Sequence, residues 1–327
     1  MSEDEGEELT YADAGVDIEE SEAATAALLN AVGNVVDTEY AGLLDIGEQY
    51  LALATDGVGT KLLVAEALGD YSTVGIDCMA MNANDLVAAG VEPVAFVDYL
   101  AVDEPSETFA EQVGEGLAEA AERADVALLG GETAVMPDVV SGLDLAGTCA
   151  GLAPKDAVFD GEARAGDALV AWPSSGIHSN GLTLARTAVQ REFDYDDPFP
   201  PDPDRTVGEV LLEPTRIYTD LLGPMREHGV NAAAHVTGGG WTNLLRMGEF
   251  EYDVTDPFGA QAVFGLVQDL GNVSPEEMYR TFNMGTGFVA AVPEERAGAL
   301  AAATDDGRVV GTVGEGDSVE IRGLSLS

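Results

Sequence analysis

Lysine is almost missing from this chain. Only Lys61 and Lys155 are present, and 14 basic residues in all face 60 acidic ones, for a formal net charge of −46. Such a surface repels phosphate backbones and anionic lipid, which argues against nonspecific nucleic-acid or membrane-surface binding. Cysteine is scarce too. Cys78 and Cys149 lie far apart with no C-x-x-C motif, so the expectation is two reduced, buried thiols in a cytoplasmic protein. No uncharged apolar run reaches the roughly 18 residues of a membrane span. Residues 1–9 are acidic and polar where a secretory leader would carry a basic segment and an apolar core.

What is present suits a large folded protein. The 327 residues are 46% hydrophobic, enough for two domains with sizeable cores. With aromatics at only 6%, packing falls to alanine, valine, leucine and glycine. The acidic residues are spread along the chain and not gathered in a tail. Spread acidity with depleted lysine reads as a surface adapted to a high-salt cytoplasm, where counter-ions screen the self-repulsion.

One of the two lysines stands beside a distinctive stretch, Thr55-Asp56-Gly57-Val58-Gly59-Thr60-Lys61. A strand-like run, Tyr50 to Ala54, precedes it, and a helix-like run, Leu62 to Leu68, follows. A loop with Gly57 and Gly59 can turn backbone N–H groups toward an anion. Asp56 suits Mg²⁺, and Lys61 suits phosphate. It is not a P-loop, because Thr60 separates Gly59 from the lysine, and it lacks the third glycine of a dinucleotide fingerprint. Pattern alone leaves a second reading open, a plain glycine turn between strand and helix.

Further along, the segment from Val35 to Gly47 reads as irregular. Gly75 to Ala89 reads as a helix with Ile76, Met79, Ala83 and Leu86 facing a core. Asp77 and Asn84 share another face, with Asp85 close by, and such poor interior helix formers suggest a polar role. A strand from Pro93 to Ala101, a helix from Glu107 to Ala124 and a short buried strand from Val126 to Leu129 come next. That strand is expected to end in a second glycine loop, Gly130 to Ala134, where Glu132 is either a ligand or an ordinary exposed glutamate. The turn-rich Gly161 to Gly166 marks a boundary between residues 1–160 and 161–327. Pro173 to Gly181 leads into a helix, with Ser179 and Asn180 as N-cap candidates. His178 there is a functional residue or a capping or core histidine. Asp194 to Arg205, rich in proline and aspartate, reads as a surface loop. Glu209 to Met225 reads as helical around Pro214. Thr237-Gly238-Gly239-Gly240 is another backbone-rich anion site or a flexible turn, with a short helix expected from Trp241.

In this order the segments resemble the phosphoribosylformylglycinamidine cyclo-ligases, also called aminoimidazole ribonucleotide synthetases. The resemblance covers nearly the whole chain. It rests on Asp13 to Ile18, Asp56 to Lys61, Gly75-Ile76-Asp77 with Met81, Asn84, Asp85 and Leu86, Asp98-Tyr99, and Gly130 to Ala134. It continues through His178-Ser179-Asn180-Gly181, Pro214 to Tyr218, Ala234-His235 with Thr237 to Gly240, and Met278 to Gly285. The Asp56 and Thr237 stretches are also similar to thiamine-phosphate kinase, selenophosphate synthetase and hydrogenase maturation factors. The His178 and Met278 segments point to the cyclo-ligases more sharply.

The resemblance implies a two-domain α/β (α+β) fold, with N-terminal strands forming a barrel across a homodimer. It implies ATP and Mg²⁺, with formylglycinamidine ribonucleotide as the substrate of an ATP-driven ring closure. By the same resemblance Asp56, Asp85 and Glu132 hold the metal. Asp56, Gly57, Gly59, Thr60, Lys61 and Asn84 contact the nucleotide, and Thr237, Gly238, Gly239 and Gly240 hold a phosphate. Lys61, His178 and Asn180 serve the chemistry. Two departures stand out: Gly33 to Gly47 is short and lacks basic residues and most of a glycine-rich loop, and Ala12 stands where a lysine is usual. Other ATP-using enzymes of the fold are the alternative, as is a non-catalytic maturation factor. Against these, no reactive cysteine stands near the start, and the chain ends Leu324-Ser325-Leu326-Ser327.

Overall fold

The computed structural model describes residues 8–16, 18–32 and 40–327. Its first unit runs α1 (Ile18–Val32), β1 (Gly42–Asp45), β2 (Gln49–Gly57), α2 (Leu62–Leu68), α3 (Val74–Ala88), β3 (Glu92–Val102), α4 (Glu107–Ala124), β4 (Ala127–Val135) and β5 (Leu143–Pro154). The strands form one sheet in the order β1-β2-β5-β3-β4, antiparallel except for the β3–β4 pair at one edge. The second unit runs β6 (Asp167–Pro173), α5 (Leu182–Val189), β7 (Pro198–Phe199), β8 (Asp202–Thr206), α6 (Val207–Leu211), α7 (Leu222–His228), β9 (Ala232–His235), β10 (Glu251–Val254), α8 (Ala262–Gly271), α9 (Pro275–Thr281), β11 (Thr286–Pro293), α10 (Glu294–Ala302), β12 (Arg308–Gly314), β13 (Ser318–Ile321) and β14 (Leu324–Leu326). Its main sheet has the order β14-β13-β10-β12-β6-β11-β9. The central strands β6 and β11 are near-continuous apolar runs because helices cover both faces.

The helix α3 sits between the two units. Every residue of it except Asp85 is buried, as expected of a helix enclosed on all sides. One flank packs on β2, β5 and β3, another on α4, and a third meets β9 of the second sheet. The crossing with α4 is close because two glycines meet there. A Cβ on Gly75 would fall 2.4 Å from the Leu117 nitrogen, and one on Gly116 would fall 2.6 Å from the Ser72 oxygen. One apolar core continues from Val64 and Phe96 in the first unit to Leu184 and Phe264 in the second.

Several expectations change on folding. Residues 33–39 lie outside the described residues, and the supposedly irregular stretch after them contains the edge strand β1. The short buried strand at Val126 to Leu129 is part of β4, which is exposed along nearly its whole length and runs through Gly130 to Ala134 without a loop. Pairing with β3 carries the chain past both glycines. Asp194 to Arg205 is partly the β7–β8 hairpin. The helix expected around Pro214 is broken, since residues 212–218 form neither helix nor strand between α6 and a short 3₁₀ turn. Proline disfavours helix for the residue before it, and this break frees backbone groups that the site uses.

No helix among the described residues is long and apolar enough to cross a membrane. The outer face of the first sheet is uncovered by any part of the chain described. Leu44, Leu53, Val97 and Tyr99 stand on it, between 42% and 60% exposed.

Candidate active site

The end of β2 delivers Asp56 to the helix-bearing face of the first sheet. Its Oδ1 accepts from the Gly57 N–H at 2.7 Å. Burial, and then the charge of Asp85, push its pKa up to about 6. Asp85 comes from α3, the only residue of that helix not buried. His235, at the end of β9, places Nδ1 3.0 Å from Asp85 Oδ1. The tautomer follows from Asn84. Its Oδ1 accepts from the Tyr218 N–H at 2.8 Å, so Nδ2 is the donor, reaching the Arg216 carbonyl at 2.9 Å and His235 Nε2 at 3.3 Å. With Nε2 accepting, Nδ1 carries the proton and donates it to Asp85. Asn84 is fully buried and its amide is engaged by these partners.

The pair fits a small hard cation. Mg²⁺ commonly takes one or two carboxylates and fills its shell with water and substrate phosphate. A cation there also relieves the like-charge contact that raises Asp56. The expected third ligand is elsewhere. Glu132 is in register with Tyr99 on the exposed face, whereas Asp56, Gly147, Asp98 and Gly131 are in register on the inner face. No group of three or more His, Cys, Asp or Glu side chains is gathered for a metal among the described residues. Asp98, raised by burial, is an inner-face carboxylate that sequence reading left out of the site. A Cβ on Gly131 would lie 2.3 Å from its Oδ1, so the glycine makes room for it. Only strand pairing reveals this, since neither residue alone signals which face it takes.

Lys61 faces inward. The loop before it is tight: Gly57 ends β2, and Gly59 to Lys61 form a single 3₁₀ turn. Thr60 Oγ1 lies 2.9 Å from Thr183 Oγ1 of α5, so the turn abuts the second unit. Lys61 is wholly buried, with Nζ 2.8 Å from both carboxylate oxygens of Asp77 and 2.6 Å from the Glu213 carbonyl. As placed, its ammonium has no free direction toward a phosphate.

The second unit contributes two loops. His178 is held at φ 68°, and its Nε2 accepts from the Ser175 N–H at 3.1 Å. Its Nδ1 therefore carries the proton, and that atom is buried without a protein partner. Burial first, then the nearby His235, Lys61 and Arg216, hold its pKa well below the usual histidine range. The imidazole is neutral near pH 7. Asn180 also has an unpartnered buried atom, Oδ1. Its amide faces the glycine loop, since a Cβ on Gly238 would lie 3.3 Å from Nδ2. Neither Ser179 nor Asn180 caps α5. Gly181 does, with φ 80°, while Ser179 Oγ turns to Asp77 Oδ1 at 3.2 Å and to Thr215 Oγ1 at 3.1 Å. Thr237 to Gly240 run into a 3₁₀ helix, Gly240–Met247. Asn243 Nδ2 closes the loop by donating to the Gly238 carbonyl at 3.0 Å and the Gly240 carbonyl at 2.7 Å. Asn283 donates to the carbonyls of Gly176 at 2.9 Å and Ile177 at 3.1 Å, which fixes the turn carrying His178.

An aromatic row joins these parts. The His178 and Tyr218 rings are 6.5 Å apart, and the Tyr218 and His235 rings 6.3 Å. Tyr218 thus stands between the ring carrying the unpartnered donor and the ring that braces Asp85. Both thiols are outside the chemistry, since Cys78 and Cys149 are buried and burial pushes Cys149 up to about 12.

Fold and site together define a class of proteins with two α/β units packed about one buried helix. The family profile described as AIR synthase related protein, N-terminal domain, matches residues 38–153, and its C-terminal counterpart matches residues 164–323. Among solved structures, thiamine monophosphate kinase from Aquifex aeolicus superposes with a TM-score of 0.65 at 17% identity, covering 95% of this chain and 99% of that one. The hydrogenase maturation protein HypE in complex with ATP gives 0.63 at 18% identity, covering 88% and 87%. At those identities the likeness shows the fold alone. Curated relatives narrow it. Phosphoribosylformylglycinamidine cyclo-ligase of Methanosarcina acetivorans is 46% identical over 318 residues, 94% of this chain and 95% of that protein. The Pyrococcus furiosus protein of the same name is 46% identical over 304 residues, covering 88% and 89%. This chain belongs to the phosphoribosylformylglycinamidine cyclo-ligase family.

Proposed function

We propose that the protein converts formylglycinamidine ribonucleotide and ATP to aminoimidazole ribonucleotide, ADP and phosphate. An amide oxygen leaves poorly until it is phosphorylated. The amidine nitrogen of the same substrate then attacks that carbon, the C–O bond breaks with release of phosphate, and the nitrogen loses a proton. Intramolecular attack needs positioning more than a protein nucleophile. Asp56 and Asp85 would hold Mg²⁺, which when bound spreads the charge of the transferring phosphoryl group. His235 keeps Asp85 turned toward that position. His178 offers its Nδ1–H to the amide oxygen, and Asn180 Oδ1 accepts from the attacking nitrogen. The Thr237 to Gly240 loop takes a phosphate of substrate or product.

The observation that carries this reading is the pair of unpartnered polar atoms, a donor on His178 and an acceptor on Asn180, beside the braced acid pair. A buried polar atom left unsatisfied costs about 1–3 kcal/mol, which a substrate restores. The test is product formation from formylglycinamidine ribonucleotide with Mg-ATP, followed through the diazotisable amine. ATP consumption without that product would sink the reading.

The active form is a homodimer in the cytoplasm. Its partner copy covers the open sheet face, closes the two sheets into a barrel, and takes up Glu132 from that face. The net charge of −46 is an adaptation to high salt. The melting temperature should therefore rise by ten degrees or more, on the order of a few kcal/mol, between low and molar KCl. A flat profile would remove the adaptation while leaving the activity untouched.

A further inference from the structure

We infer that Lys61 is a positioning residue that locks the two units together through Asp77, and is not a phosphate ligand. The inference concerns how the proposed active site is held, and it rests on that reading only for its kinetic arm. Asp77 is the centre. Its Oδ1 accepts from Lys61 Nζ at 2.8 Å, the Thr215 N–H at 2.8 Å, Thr215 Oγ1 at 2.6 Å and Ser179 Oγ at 3.2 Å. Its Oδ2 faces only Lys61. Lys61 and Asp77 belong to the first unit, whereas Thr215, Ser179 and the Glu213 carbonyl belong to the second. Both charged side chains are 0% exposed.

The connection to the chemistry is short. Ser179 stands between His178 and Asn180, so the carboxylate that pairs with Lys61 also holds the turn bearing both. Thr215 lies in the irregular segment whose Arg216 and Tyr218 backbone groups hold Asn84, which in turn braces His235. One buried ion pair thus sets the spacing between the acid pair of the first unit and the donor and acceptor of the second. Burial pulls the Lys61 pKa down and Asp77 opposes that, as expected when each charge depends on the other.

A double-mutant cycle separates this from phosphate binding. Lys61→Met leaves a buried carboxylate without its cation, and Asp77→Asn leaves a buried ammonium without its anion. Each should shift the unfolding equilibrium strongly toward the unfolded state. In Lys61→Met/Asp77→Asn the pair is neutral, and the side-chain amide oxygen that replaces the carboxylate still accepts from Thr215 and Ser179. The double variant should recover about a hundredfold of the folding equilibrium relative to the sum of the singles. This arm is read by denaturant without substrate, so it stands whether or not the protein closes a ring. Mg-ATP titration of the double variant should give a Kd within threefold of the parent. Turnover should show kcat lowered in whichever single folds, with KM for ATP unchanged, and largely regained in the double. Additive losses, a double variant that does not fold, or a tenfold weaker Kd for Mg-ATP in the double would each overturn the inference.

Discussion

Asp56→Asn should lower ATP-dependent turnover by about two to three orders of magnitude, the scale of losing one preorganised charge contact. In the same molecule it should make the metal-free protein more stable. The two effects have one origin. Burial and Asp85 push the Asp56 pKa up to about 6, whereas an unfolded aspartate titrates near 3.9. Across that window the folded chain keeps a proton that the unfolded chain has released. Stability from this group is therefore present at low pH and is lost as the pH rises through about 6. Asparagine cannot ionise, so the advantage of the variant should be small near pH 4 and grow to a plateau above about 6. The measurement is the melting temperature of both proteins without metal across that range. A difference that does not change with pH would mean that neither burial nor Asp85 raises the Asp56 pKa in the folded chain.

Leu53→Glu with Val97→Glu should split the proposed dimer. Both side chains stand on the open face of the first sheet, at 49% and 42% exposure, so neither substitution disturbs the core of its own chain. Inside a dimer the same two positions would bury four unpaired charges on apolar surface, a cost of several kcal/mol each before relaxation. The expected result is a monomer by light scattering, at least a thousandfold weaker in self-association, with unchanged far-UV circular dichroism. Turnover should fall with it, because Glu132 lies on that face. A variant that still runs as a dimer would place the interface elsewhere.

Local pattern carried the helices well. The helix expected from Glu107 to Ala124 matches α4 to the residue, and the apolar positions of α3 are plain because a fully enclosed helix leaves few polar ones. The structure brings Asp56 and Asp85 near enough for the charge of one to raise the pKa of the other, and the metal role expected of them belongs to the proposed function. Glu132 misled because β4 reads as a buried strand from its apolar content, while its actual face is set by register with β3. His235 and Thr215 lie within the motifs that carry the resemblance, but what they touch is hidden for a related reason. Their partners are 150 and 138 residues away in the chain, and no local spacing encodes such contacts. Lys61 was conspicuous for its rarity, but rarity cannot say whether an ammonium points outward to a ligand or inward to a carboxylate.

The irregular segment around Thr215 has one more effect. It grips α3 at two points, Asp77 and Asn84, about two helical turns apart. The apolar core beneath it is continuous between the sheets. Opening either half strips partners from a buried charge and a buried amide in the other, so partly unfolded forms with one sheet intact are disfavoured. Two sheets thus behave as a single cooperative unit, and heating should give one calorimetric transition whose van't Hoff and measured enthalpies agree.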